Sequence, residues 1–177
     1  MDIVFILLLI SYCASLVILL SIPLRRRAVA LRAGSRIFAI SAKKTGFIKG
    51  FFIVFLCAAI IFFVQTRYFS VFVNIAFCGT AVLGIEFAAR LFTLLGLSGA
   101  WQNAVICGTD FVLYDEIEIF PVLQLPPEEQ ASYPKNVLNV QTKNRGQINL
   151  FFPDEASCKK TLDVIFAQRP ELKPDSE

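Results

Sequence analysis

A chain of 177 residues that is 56% hydrophobic and 18% charged, with eighteen Phe, carries an apolar excess over ordinary soluble domains. It has no His, which removes the usual general base near neutral pH and the commonest imidazole metal ligand. Its five dispersed cysteines show no C-x-x-C spacing, so they support neither a zinc site nor a disulfide framework and read as buried thiols.

The net charge of +3 hides two opposed regions. Eight cations (Arg25, Arg26, Arg27, Arg32, Arg36, Lys43, Lys44 and Lys49) fall within positions 25–49 without a single acid. From Ser98 onward, twelve acids face seven bases.

Residues 1–24 hold the first apolar run, about 20 residues long, enough at ~1.5 Å per residue to cross a ~30 Å hydrocarbon core. A signal peptide carries its positive charge before such a run. Here Met1-Asp2 precede it and three arginines follow, so it reads as a retained transmembrane helix with its N-terminus outside and Arg25 in the cytoplasm.

Residues 25–45 form a basic cytoplasmic loop. Projected on a helix, Arg25, Arg32, Arg36 and Lys43 fall within about 20° of one line, with Leu31, Phe38 and Ala42 turned away. That is the pattern of an interfacial helix presenting cations to anionic headgroups. Gly34 within the segment, and Val29 and Ile40 on its polar face, favour a plain topogenic loop instead. Both readings stay open, and the four cations are the candidates for a lipid headgroup or tail-docking site.

A second span is expected over 46–64. Gln65 to Ser70 then makes an external turn with Tyr68 and Phe69 as interfacial aromatics. The third span, 69–97, contains Glu86 and Arg90. An acid inside a membrane marks a functional site by default. Glu86 lies about 26 Å beyond Phe69, near the far edge of the core, and Arg90 follows one turn later. The spacing therefore predicts a structural intramembrane pair, Glu86 with Arg90; a transport relay would want further ionisable groups at mid-depth, and the first two spans offer none.

Beyond the spans the period shortens from helix to strand. Ala104–Cys107 and Phe111–Leu113 read as strands around a Gly108–Asp110 turn. Ile117, Ile119 and Pro121 alternate against Glu116, Glu118 and Phe120, with Pro121 marking an edge or a bulge. Leu138, Val140 and Thr142 face Ile148, Leu150 and Phe152 across an Asn144-Arg145-Gly146 turn. Pro153 opens a helix with Asp154 and Glu155 in its first turn, and Cys158, Leu162, Ile165 and Phe166 form its apolar face. Residues 98–169 thus make a small strand-rich domain, and 170–177 a disordered tail.

The order of three spans, short strands, a Tyr114-Asp115-Glu116-Ile117 turn, a hairpin and a closing helix resembles small bacterial membrane proteins, themselves of uncharacterised function, whose cytoplasmic tail is a truncated pleckstrin-homology-like (PH-like) domain. The residues that carry the resemblance are Gly108, Tyr114, Asp115, Glu116, Ile117, Gly146 and the stretch Phe152 to Phe166. It implies an α-helical membrane protein with three transmembrane helices and a small α+β C-terminal domain, antiparallel strands plus one terminal helix. It implies no catalytic residues.

Strand alternation sends Glu116 and Glu118 to one face and Asp115 to the other, so these acids do not converge as a catalytic pair. Neither a Gly-rich phosphate loop nor a nucleophile motif is present, so no catalytic, cofactor-binding or metal residue is assigned. An acidic soluble part argues against nucleic acid. The expected protein is a non-enzymatic, membrane-tethered cytoplasmic interaction module of the inner membrane. The alternatives are a small subunit of a transport or channel complex, or an anionic-lipid-binding membrane protein. Its expected partners are the bilayer with its anionic lipids, and a protein partner or a second copy. The opposed charges further predict that the acidic tail docks on the basic loop.

Overall fold

Two units alternate along the chain in the computed structural model, which describes residues 3–41, 44–66 and 69–173. One unit comprises Met1–Arg26 with Lys44–Thr93; the other comprises Arg27–Lys43 with Leu94–Glu177. The strand-bearing unit therefore begins well before Ser98.

Three helices are long and apolar enough to cross a membrane: Ile3–Ala33, Gly46–Thr66 and Val71–Leu95. The first is two pieces, α1 (Ile3–Leu20) and α2 (Ile22–Ala33), separated at Ser21. Pro23 explains the break, because it offers no N–H to the preceding turn. The helix continues through Arg25–Arg27 and Arg32 to Ala33, where Gly34 at φ 86° stops it. The expected four-cation helical stripe over 25–45 is accordingly not formed. Arg25 and Arg32 are on α2, Arg36 is on a strand, and Lys43 lies outside the described residues.

Helices α3 (Lys44–Thr66) and α4 (Val71–Leu95) follow. Within the helical unit Leu8, Cys57, Ile61, Val64, Cys78, Ala81 and Ile85 form the packed interior, while Phe51, Phe52, Phe55, Phe72 and Phe87 face outward. That inside-out distribution suits helices solvated by lipid. Buried hydroxyls are satisfied within their own helices, as hydrocarbon requires: Ser11 donates to the Leu7 carbonyl (2.8 Å) and Ser15 to that of Ser11 (2.7 Å). Of the two expected interfacial aromatics, Tyr68 lies outside the described residues. Phe69 packs between Phe63 and Phe77, with ring centroids 5.5 and 5.9 Å away.

The second unit contains two antiparallel sheets. The first has the order β1-β2-β3-β4, from Arg36–Ala39, Gly99–Trp101, Ala104–Cys107 and Asp110–Leu113. The second has the order β5-β6-β7, from Ile117–Ile119, Val137–Thr142 and Gly146–Phe151. A short helix α5 (Pro127–Gln130) sits in the connection before β6, and α6 (Glu155–Gln168) closes the unit. Asp154 caps α6, its carboxylate accepting from the Ser157 N–H at 2.7 Å.

All four residues of β3 are buried because both faces of its sheet are covered. Val105, Cys107 and Val112 join Leu138, Val140, Leu150, Phe152, Cys158 and Ile165 in the main core. Ala104 and Ile106 pack instead with Trp101, Ala33, Val29 and Leu97. The expected hairpin and closing helix are both present, with Gly146 at φ 68° and Cys158 and Ile165 buried. Thr161, fully buried, joins that face by donating its hydroxyl to the Ser157 carbonyl.

The alternation expected over 116–121 is not what forms. A register shift between Ile117 and Ile119 leaves Ile119 39% exposed and turns Phe120 inward, at 2%. Glu118 is the extra residue of a bulge, and Phe120 meets Phe166 edge-on at 5.8 Å.

β1 is joined to β2 with Phe38 opposite Ala100 and Ala39 opposite Gly99. The Ile40 N–H extends the ladder to the Ser98 carbonyl at 3.1 Å. A Cβ on Gly99 would lie 2.5 Å from the Phe38 carbonyl oxygen, so the pairing demands glycine there. Gly99→Ala is expected to cost about 1–3 kcal/mol through overpacking. Denaturation of the full chain in mild detergent measures the loss, and amide exchange at residues 36–40 should accelerate; unchanged exchange there would refute the pairing.

Candidate functional site

In the helical unit, Glu86 near the end of α4 is held by two arginines. Arg90 Nε reaches Oε1 at 2.9 Å from one turn on, as the spacing predicts. Arg25 makes the stronger contact, a two-pronged one with Nη1 to Oε1 at 2.6 Å and Nη2 to Oε2 at 2.8 Å. Its neighbour Arg26 donates to the Phe92 carbonyl at 2.8 Å. Two consecutive cations of α2 therefore fasten it to α4. Sequence spacing could supply only Arg90, because Arg25 is 61 positions from Glu86. The signal that points to it is the order of the long helices: the end of the first and the end of the third meet when consecutive helices run antiparallel. Both carboxylate oxygens are engaged by arginine, which marks a structural tie.

In the strand unit the Tyr114-Asp115-Glu116-Ile117 turn works as a clasp. The Tyr114 hydroxyl donates to the buried Trp101 carbonyl at 2.8 Å. Arg145 donates to Glu116 (2.6 Å) and to the Phe111 carbonyl (2.9 Å). Arg169 donates to the Tyr114 carbonyl (3.0 Å) and to Asp115 (3.2 Å), and also pairs with Glu171. Asp115 and Glu116 thus meet different arginines, but from a 3-10 turn over Tyr114–Glu116 and not through the strand alternation expected there.

The basic loop meets aromatic rings where acids were expected. The Arg32 guanidinium lies 5.8 Å from the Phe111 ring centroid, and that of Arg36 lies 5.7 Å from the centroid of Trp101. Arg36 also donates to the Ser98 carbonyl. Among the described residues neither arginine is in an ion pair. Loop and tail do associate, but through main-chain hydrogen bonds and ring contacts, so the predicted electrostatic docking of acid on base is not the mode observed. Of the four predicted cations, Arg25 belongs with Glu86, Arg32 and Arg36 belong with the sheet, and Lys43 is outside the described residues.

The strand unit also contains a groove of about 380 Å³ between the 122–135 connection, the start of β6 and α6. Leu123, Val137, Leu138, Cys158 and Leu162 give it an apolar floor, and Tyr133 stands beside it 46% exposed. Lys159 pairs with Glu155 across one turn at 2.7 Å, and Lys135 adds a further positive charge at the rim. The Lys159 ammonium, helped by Lys135, holds the Glu155 carboxyl below its usual range. Burial pushes the Cys158 thiol up to about 11, so it stays protonated at neutral pH. Sequence reasoning missed the groove because its walls come from three separated segments. The available signal was an apolar residue pair, Val122-Leu123, in a connection otherwise rich in Pro and Glu.

No protein-family model matches this chain, and comparison with curated proteins and with solved structures finds no match.

Arg25→Gln or Glu86→Gln alone strands a part-buried charge, and each is expected to cost about 1–3 kcal/mol. The double substitution should cost clearly less than the sum of the two, as unfolding midpoints in mild detergent would report. Strict additivity would mean that the ion pair contributes nothing.

Proposed function

We propose that this chain is a membrane-anchored, non-enzymatic interaction module: three transmembrane helices hold a small PH-like domain on the cytoplasmic side of the inner membrane, where its groove receives a segment of a protein partner. Orientation rests on the eight cations of positions 25–49, since the positive-inside rule places that stretch in the cytoplasm. An odd number of spans then puts the second half of the chain on the same side. The PH-like reading is supported by antiparallel strands followed by one terminal helix, and by the Tyr114–Ile117 turn at the centre of the unit.

The groove is the observation that carries the reading. Its apolar floor and charged rim are the arrangement used to seat a partner's side chains and fix their direction. Three of its polar groups are already engaged: the Gln130 amide donates to the Leu123 and Leu125 carbonyls, and Lys159 holds Glu155. A protonated thiol at the floor is a poor nucleophile, which favours binding over covalent chemistry.

Ala131 lines the groove from an exposed position, so Ala131→Arg fills it without disturbing the core. Proteins recovered with the full chain from native membranes in mild detergent should fall at least about tenfold for this variant, the equivalent of ~1.4 kcal/mol of binding. Recovery of the same partners in the same amounts would contradict the proposed role of the groove.

A further inference from the structure

The segment from Arg27 to Ile37 presents exposed cationic and aliphatic side chains together. Leu31 is 75% exposed and Ile37 47%, while Arg27, Arg32 and Arg36 are exposed beside them. A single exposed leucine is ordinary. Its company is less so: every charge in positions 25–49 is positive, and Arg27, Arg32 and Arg36 are in no ion pair among the described residues. Two acids of the same unit, Glu116 and Asp115, are engaged elsewhere, on Arg145 and Arg169.

Two of the three guanidiniums are also held in place. Phe111 supports Arg32 and Trp101 supports Arg36, which reduces the side-chain freedom each would lose on binding an anion. The guanidiniums of Arg27 and Arg32 donate no hydrogen bond to any described residue, so their side-chain N–H groups are available. Ordered arginines alternating with exposed aliphatic side chains suit the boundary of a bilayer, where phosphates meet guanidiniums and acyl chains meet Leu and Ile.

We infer that Arg27, Arg32 and Arg36, with Leu31 and Ile37, form a membrane-contact surface that binds the headgroups of anionic phospholipids. The inference rests on the membrane-anchored reading and is independent of the groove. A soluble protein partner would satisfy the cations but would leave no reason for selectivity among lipids.

The test uses the full chain in nanodiscs of phosphatidylcholine alone or of phosphatidylcholine with phosphatidylglycerol, and reads amide exchange at residues 34–41. Anionic lipid should slow exchange there, by about fivefold for each cation engaged, and raised salt should reverse the effect. Arg27→Gln/Arg32→Gln should abolish the difference while exchange in β6 and β7 stays as in the parent chain, which shows that the unit is folded. Leu31→Ser should weaken protection in both lipids. Equal exchange in the two lipids, or anionic protection that survives in the double arginine variant, would overturn the inference. Failure of the chain to enter nanodiscs at all would overturn the anchored reading along with it.

Discussion

The main-chain pairing of β1 with β2 is the contact on which the rest of the structure depends. It joins residues 36–40 to 98–101 across the α3–α4 hairpin, and so makes one unit from two segments that the sequence keeps far apart. The pairing completes the first sheet. It also carries the end of α2 with it, since the Asn103 N–H donates to the Ala33 carbonyl and the Gln102 N–H to that of Ser35, both at 2.9 Å. Those two bonds occupy a helix-end carbonyl and a turn carbonyl that would otherwise need water. Closing a loop of some sixty residues is entropically unfavourable, but the cost rises only slowly with length, and a helical hairpin inside the loop reduces it by returning its two ends together.

Charge plays a different part from the one its distribution implies. A basic loop and an acidic tail invite the expectation that they attract each other directly. Instead Arg25 pairs with Glu86 of α4, Arg36 and Arg32 lie over Trp101 and Phe111, and the tail's Glu116, Asp115 and Glu171 are held by the tail's own Arg145 and Arg169. Each choice follows from dielectric. A part-buried acid gains more from a close cation than an acid in water does, and Glu86 takes Arg25 as well as Arg90. Exposed pairs gain little, so surface arginines are left to stack on aromatic rings.

How much of this was legible depends on how far each interaction reaches along the chain. The three spans, the β6–β7 hairpin and α6 follow from local patterns: long apolar runs, an alternation closed by Gly146, and an Asp154 cap before a helical stripe. β1 was not legible, because Arg36–Ala39 is four residues with no alternation of its own and owes its conformation to a partner about sixty residues away. The bulge at Glu118 was hidden for a related reason, since a single inserted residue inverts the faces without changing composition. Arg25 and Glu86 each stood out as individual residues, but their meeting is a property of the folded helices. The groove is assembled from what three segments leave uncovered, and no short window of sequence contains it.

The central claim is that residues 36–40 are a strand of the domain rather than a free loop. Nuclear Overhauser contacts in the full chain, isotope-labelled and held in nanodiscs, measure this most directly. Cross-strand contacts between the backbone protons of Phe38 and Ala100, and between Ala39 and Gly99, are the predicted result. Contacts confined to sequential neighbours across 36–40, with the remaining strands intact, would contradict it.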